Sequence, residues 1–134
     1  MQKFVYWTGM SDFLVGLGTW VGAVSIARAA EPQLGQFVPL ITLGTFLMMA
    51  AALLMWASHD LQNRAPVVFW QGLVRLSAIS AVIYAVPASL AETWEYSLLA
   101  IDGPIGLIYV IGIMRVTGSG PLAMLRCAPS TAKS

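Results

Sequence analysis

The chain has little charge and few of the side chains that build redox or metal sites. Charged residues make up 10% of its 134 positions and hydrophobic residues 58%, whereas an average soluble domain carries about 25% charge. Cys127 is the only cysteine and His59 the only histidine. A lone cysteine excludes an internal disulfide or a Cys-x-x-Cys centre, and a Cys/His zinc site takes three or four ligands. We therefore expect no cofactor and no metal.

The balance of charge also excludes a class of partner. The formal net charge is +1 at pH 7, so nothing in the composition indicates nucleic-acid binding. The excess of apolar residues instead places the chain in the membrane class, with the lipid bilayer as its first partner.

Four apolar runs are each long enough for a transmembrane helix, which needs about 20 residues. They predict an all-α integral membrane four-helix bundle, a single domain over residues 1–134. The predicted spans cover residues 4–27, 37–57, 67–89 and 98–116, and the tail at 117–134 is expected to be flexible. Arg28–Gln36 is expected to form a short polar turn. The first run ends in a small-residue motif that resembles a signal-peptide cleavage site, but it is too long for one and carries Asp12. We expect an uncleaved helix.

The distribution of lysine and arginine predicts the orientation. Four spans place both termini on one side, and that side, with the second loop, carries five basic residues (Lys3, Arg64, Arg115, Arg126 and Lys133). The other two loops carry Arg28 alone, together with three glutamates. Since basic loops stay in the cytoplasm, we expect both termini to be cytoplasmic.

A polar constellation inside the spans is the candidate functional site. Asp12, Arg75 and Asp102 are ionisable residues within apolar runs, and Gln71 lies one turn before Arg75. Asp12 and Arg75 are each about eight residues from the cytoplasmic end of their spans, or about 12 Å deep at 1.5 Å per residue. Equal depth predicts an ion pair, which lowers the cost of both charges in hydrocarbon.

Two interpretations of these residues stay open at this point. The pair of Asp12 and Arg75 either holds the helices together or forms a site for a polar ligand or a proton. Asp102 either caps a helix beginning at Pro104 or lies inside a distorted helix that begins earlier, where Arg115 could reach towards it. No residue is assigned a catalytic role.

A family resemblance adds to this interpretation. The small size, the four spans, the glycine-rich first helix and the polar residues of helices one, three and four resemble the DoxX-like group of small bacterial membrane proteins. The first helix carries Gly9, Gly16, Gly18 and Gly22, and the polar residues are Asp12, Arg75 and Asp102. The resemblance implies the bacterial inner membrane and an association with quinol oxidase subunits or membrane redox complexes. The lack of a thiol pair argues against thiol redox chemistry.

Three functions follow as hypotheses. The first is an accessory subunit of a larger membrane complex, redox complexes included, with other membrane subunits as partners. The second is a small homo-oligomeric transporter or channel with Arg75 and the aspartates along its path. The third is a membrane enzyme on a lipophilic substrate, with Asp12 or Asp102 as acid or base.

Overall fold

The computed structural model describes residues 1–28 and 35–128. These residues form five α-helices and one short 3-10 helix, and the described part contains no strand. The predicted polar turn falls mostly on residues 29–34, outside the described residues. The helices are α1 (Gln2–Ala27), α2 (Phe37–Ser58), α3 (Ala65–Ala85), the 3-10 helix (Thr93–Tyr96), α4 (Ser97–Thr117) and α5 (Pro121–Leu125).

Four of these helical segments are long and apolar enough to cross a membrane. The shortest, α3 and α4, have 21 residues each, which at 1.5 Å per residue gives about 32 Å against a hydrocarbon core of about 30 Å. The prediction of an all-α fold with four long apolar helices is confirmed. The four long helices α1, α2, α3 and α4 each begin within two residues of the predicted span.

The chain divides into two compact units. The first contains Gln2–His59, that is α1 and α2. The second contains Met1 and the residues from Asp60 onward, including α3, α4 and α5. In each unit two long helices pack side by side in antiparallel order.

Glycines bring α1 and α2 into close contact. A Cβ built on Gly16 would lie 2.9 Å from the carbonyl oxygen of Gly44, and one on Gly44 would lie 2.8 Å from the carbonyl oxygen of Gly16. A Cβ built on Gly9 would likewise lie 3.1 Å from the carbonyl oxygen of Ala51 and 3.2 Å from the Cβ of Leu54. Small residues allow the two helix backbones to approach this closely, and such packing matters in lipid because lipid provides no hydrophobic driving force for helix association.

The glycines of α1 are not equivalent. Gly9 and Gly16 are buried against α2, whereas a Cβ on Gly18 or Gly22 would meet no heavy atom within 4 Å. Gly18 and Gly22 are four residues apart and therefore share a helix face. We call these two residues the open glycine face.

The long helices bury different shares of their residues within the chain. In the most apolar window of each span, 11% of residues are buried in α1 and 17% in α2.

In the second unit, α3 and α4 also meet at glycines. A Cβ on Gly72 would lie 2.8 Å from Val110 Cγ2 and 3.0 Å from the carbonyl oxygen of Gly106. Leu76 in turn packs against Gly106, and Ile79 against Gly103. Rising numbers on one helix meet falling numbers on the other, so the pair is antiparallel.

Helix α3 ends earlier than predicted, at Ala85 rather than Ser89. Pro87 has no N–H to continue the hydrogen-bond ladder. Ser89 adopts a left-handed φ of 58°, and the N–H of Leu90 donates to the carbonyl of Ala85 at 2.9 Å. This bond satisfies a terminal carbonyl in the manner of a Schellman motif.

The tail also differs from the prediction of a flexible segment. Gly118 ends α4 with a φ of 66°, and Pro121 opens α5 two residues after Ser119. Met124 is 2% exposed, so burial of its side chain favours the short helix. Residues 129–134, including Lys133, lie outside the described residues.

The loop between α2 and α3 contains a local carboxylate motif. The Asn63 side chain donates to Asp60 Oδ2 at 2.8 Å and its backbone N–H donates to Oδ1 at 3.3 Å. These two bonds, the side-chain bond first, and then the positive charge of Arg64 hold the pKa of Asp60 below its ordinary value. A lowered pKa stabilises the loop above the ordinary carboxyl range, and this effect is lost as pH falls through the folded-state pKa.

We expect replacement of Asn63 by alanine to raise the pKa of Asp60 towards its ordinary value, because the side-chain donor is the larger cause. Arg64→Gln should raise it less. A carboxyl carbon NMR titration of the labelled protein in micelles measures both. An unchanged pKa in Asn63→Ala would show that the Asn63 side chain does not stabilise the carboxylate.

Candidate functional site

The charged side chains of α3 and α4 meet inside the apolar helix pair. Arg75 Nη1 donates a hydrogen bond to Asp102 Oδ1, and the two residues form a salt bridge. Their side chains are 13% and 20% exposed. A charge in a membrane span is costly, and an opposite charge on the neighbouring helix lowers that cost.

The backbone explains why these two residues can meet. Gly103 lies against Ile79 and Gly106 against Leu76, so Asp102 is about one helical turn further along α3 than Arg75. The arginine side chain is long enough to bridge one turn. The close approach at Gly72 and Gly106 brings the short aspartate side chain within its reach.

Tyr109 completes the cluster and was not found by sequence reasoning. It is fully buried, with 0% exposure, and the Arg75 guanidinium carbon lies 5.9 Å from the centre of its ring. A cation within about 6 Å of an aromatic face is attracted by the ring quadrupole. Its spacing of seven residues from Asp102, two helical turns, puts both on one face of α4 and is the signal that could have found it.

The structure resolves the open question about Asp102. α4 runs without interruption from Ser97 to Thr117 with Pro104 inside it, and its N-cap is Tyr96. Asp102 is therefore an internal helix residue, as in the second interpretation, and does not cap a helix at Pro104. Its cation is Arg75, and Arg115 lies exposed in the last turn of α4.

The other predicted site residues are placed as follows. Gln71 is half-buried on α3, one turn before Arg75, and its participation in the network stays a prediction. Asp12 is half-buried on α1, in the unit formed by Gln2–His59. The pairing of Asp12 with Arg75 also stays a prediction.

The chemistry of the cluster is that of a neutralised charge pair. Among the described residues no group of three His, Cys, Asp or Glu side chains could hold a metal ion. Arg75, Asp102 and Tyr109 together provide one cation, one anion and one aromatic face between two helices. Such an arrangement can join helices, or it can bind a proton or a small polar group if the pair opens.

The comparisons leave the family open, because no family model, curated protein or solved structure matches the chain. The class that the fold itself defines is a small all-α protein with four helices long and apolar enough to span a membrane.

Proposed function

We propose that the protein is an accessory subunit of a larger complex in the bacterial inner membrane, where it spans the bilayer four times. The observation that carries this proposal is the open glycine face of α1. Gly18 and Gly22 form a G-x-x-x-G spacing within an apolar helix, a pattern that favours close helix association in membranes. Both are open to a further helix, whereas Gly9 and Gly16 already pack against α2.

The burial of the spans supports the same proposal. In the most apolar window of each spanning helix, 11–22% of residues are buried within the chain. Most of each helix is thus available to lipid or to the helices of other subunits. The Arg75–Asp102 pair fits a structural role, because each charge is neutralised from within the chain.

The kind of host complex follows from the DoxX-like resemblance. That resemblance makes a membrane redox complex, such as a quinol oxidase, the favoured host. The chain would contribute helix contacts to this host, and the redox groups would belong to other subunits.

Substitutions on the open glycine face test the proposal. Gly18→Ile should abolish co-isolation of partner subunits from native membranes in mild detergent, because a β-branched side chain separates the two helices. Gly18→Ala is the matched control and should retain the partners, since alanine still permits close approach. Neither change should lower the thermal stability of the isolated chain. If Gly18→Ile retains every partner, the open glycine face is not the docking surface.

The orientation is a second testable part of the proposal. We expect a reporter fused after Ala123 to report a cytoplasmic tail, and one fused after Glu92 to report the opposite side, because Lys and Arg are concentrated at the termini and the second loop. A tail reporter active only outside the cytoplasm would reverse the proposed topology.

A homo-oligomeric transporter or channel is the second candidate. It is favoured by the residual exposure of Arg75 and Asp102, 13% and 20%, which leaves the pair accessible to a polar species. Under this alternative, Asp102→Asn would abolish ion flux into vesicles containing only this chain. Under the subunit proposal, such vesicles show no flux with either form of the protein.

A further inference from the structure

A polar groove lies at the end of the first unit where α1 begins and α2 ends. It is open to the surface, encloses about 250 Å³, and is lined by Gln2, Lys3, Tyr6, Trp7, Ser58 and His59. The first four residues begin α1, and the last two end α2 and start the following loop. All six belong to the Gln2–His59 unit.

Among the described residues, those that line the groove provide hydrogen-bond donors and no carboxylate. Lys3 provides an ammonium group, Gln2 an amide and His59 an imidazole, and all three residues are exposed. The Ser58 hydroxyl already donates to the carbonyl of Met55 at 2.7 Å. A lining of one cation and neutral donors without a competing anion favours a phosphate oxyanion.

Aromatic rings hold the geometry of the groove. The rings of Tyr6 and His59 are 6.3 Å apart at 71°, and those of Tyr6 and Trp7 are 5.9 Å apart at 85°. Both are edge-to-face contacts of the favourable kind. They orient the His59 imidazole against Tyr6 in the lining of the groove, while Trp7 stays 66% exposed.

The position of the groove along the helices identifies the source of the phosphate. α1 begins and α2 ends here, so in a spanning arrangement the groove lies at the boundary between hydrocarbon and water. Trp7 and Trp56, both exposed, are residues that concentrate at this level. A lipid headgroup is held at this depth, and its glycerol and acyl portions can contact the exposed indole.

We propose that the groove binds the headgroup phosphate of an anionic phospholipid of the phosphatidylglycerol type. Lys3 is the main cation, Gln2 and His59 donate hydrogen bonds, and Trp7 contacts the lipid below its phosphate. The proposal requires only that α1 and α2 span the membrane, and it stands whether or not the chain is a complex subunit.

The test uses the full chain, delipidated in neutral detergent. Native mass spectrometry counts the lipids retained when phosphatidylglycerol, phosphatidylcholine or inorganic phosphate is added. We expect tighter retention of phosphatidylglycerol than of phosphatidylcholine, and a loss of about fivefold in Lys3→Gln, the usual contribution of one basic side chain at an anionic surface. His59→Gln should also weaken retention.

Arg126→Gln is the matched control, because Arg126 is exposed, outside the groove and loses the same charge. Arg126→Gln should bind phosphatidylglycerol as the wild type does. Lys3→Arg should largely retain this binding, because it keeps the positive charge in the groove. Equal losses in Arg126→Gln and Lys3→Gln would mean general electrostatic attraction and overturn the site. Saturation of the groove by inorganic phosphate alone would overturn a lipid ligand. If Lys3→Gln does not fold, unchanged retention in His59→Gln contradicts the proposal.

Discussion

Replacing Asp102 with asparagine is expected to lower the free energy of unfolding in bicelles by about 3 kcal/mol. The change removes the counter-charge of Arg75 within an apolar helix pair. An arginine held at that depth without its carboxylate must reorganise towards water or the interface. Arg75→Gln should cause a similar loss, because it leaves the carboxylate of Asp102 without its cation.

The double variant distinguishes a direct pair from two separate effects. Removing both charges together should cost less than the sum of the single losses, by about 1–3 kcal/mol for residues in contact. Asp60→Asn applies the same chemical change in an exposed loop and should cost far less than Asp102→Asn. Strictly additive losses for Arg75 and Asp102 would contradict a stabilising contact between them.

The same cycle also tests the partner predicted from the sequence. Asp12 and Arg75 lie at equal predicted depth. Asp12→Asn combined with Arg75→Gln should therefore lower the free energy of unfolding by less than the sum of the two single losses. A coupling energy for Asp12 smaller than that for Asp102 would identify Asp102 as the principal counter-ion of Arg75. Zero coupling would exclude Asp12 from the network.

The second large effect is expected at the contact between α1 and α2. Gly44→Ala should destabilise the protein by about 1–2 kcal/mol, because a packing cost of about 1–3 kcal/mol outweighs the gain of about 0.5–1 kcal/mol from replacing a helical glycine. The new Cβ would lie 2.8 Å from the Gly16 carbonyl oxygen. That oxygen belongs to the backbone, so it cannot rotate away and the helices must separate.

Gly18→Ala is the matched control, on the open glycine face of α1. Its Cβ would meet no heavy atom within 4 Å, so only the gain in helix propensity remains and the stability should stay equal or rise slightly. Thermal unfolding of both variants in the same detergent compares them. A loss for Gly18→Ala as large as that for Gly44→Ala would mean that the two glycines are not divided between a packed and an open face.

Much of the fold could be predicted from the sequence because the signals are long. Runs of about 20 apolar residues have few alternatives to a membrane helix, and the glycines and prolines between them predicted the ends well. The errors arose where a short-range effect decides the structure. The end of α3 depends on the left-handed conformation of Ser89, and α5 depends on the burial of Met124.

The sequence placed Arg75 and Asp102 in one polar constellation but did not single out the contact between them. Counting residues measures the depth of a side chain along a helix. Depth favoured Asp12 over Asp102 as the ion-pair partner of Arg75. Depth does not show which helices are neighbours, and it ignores the reach of an arginine side chain over one turn. The contact of Gly72 with Gly106, which places α4 beside Arg75, depends on tertiary packing that no local pattern in the sequence reports.

The same limit applies to glycines and to Tyr109. The sequence shows four glycines on α1 but not that two are packed and two are open. Apart from its spacing of seven residues from Asp102, Tyr109 resembles the other aromatic residues of the spans. Its burial beside Arg75 follows from the pairing of α3 with α4.

The composition of the native particle tests the central claim most directly. The tagged chain, extracted from its own membranes in mild detergent, would be weighed by native mass spectrometry with its bound subunits. The account predicts a particle that contains this chain together with different polypeptides, and that loses them in Gly18→Ile but not in Gly18→Ala. A particle made only of copies of this chain, in the wild type and under the same extraction, would contradict the account.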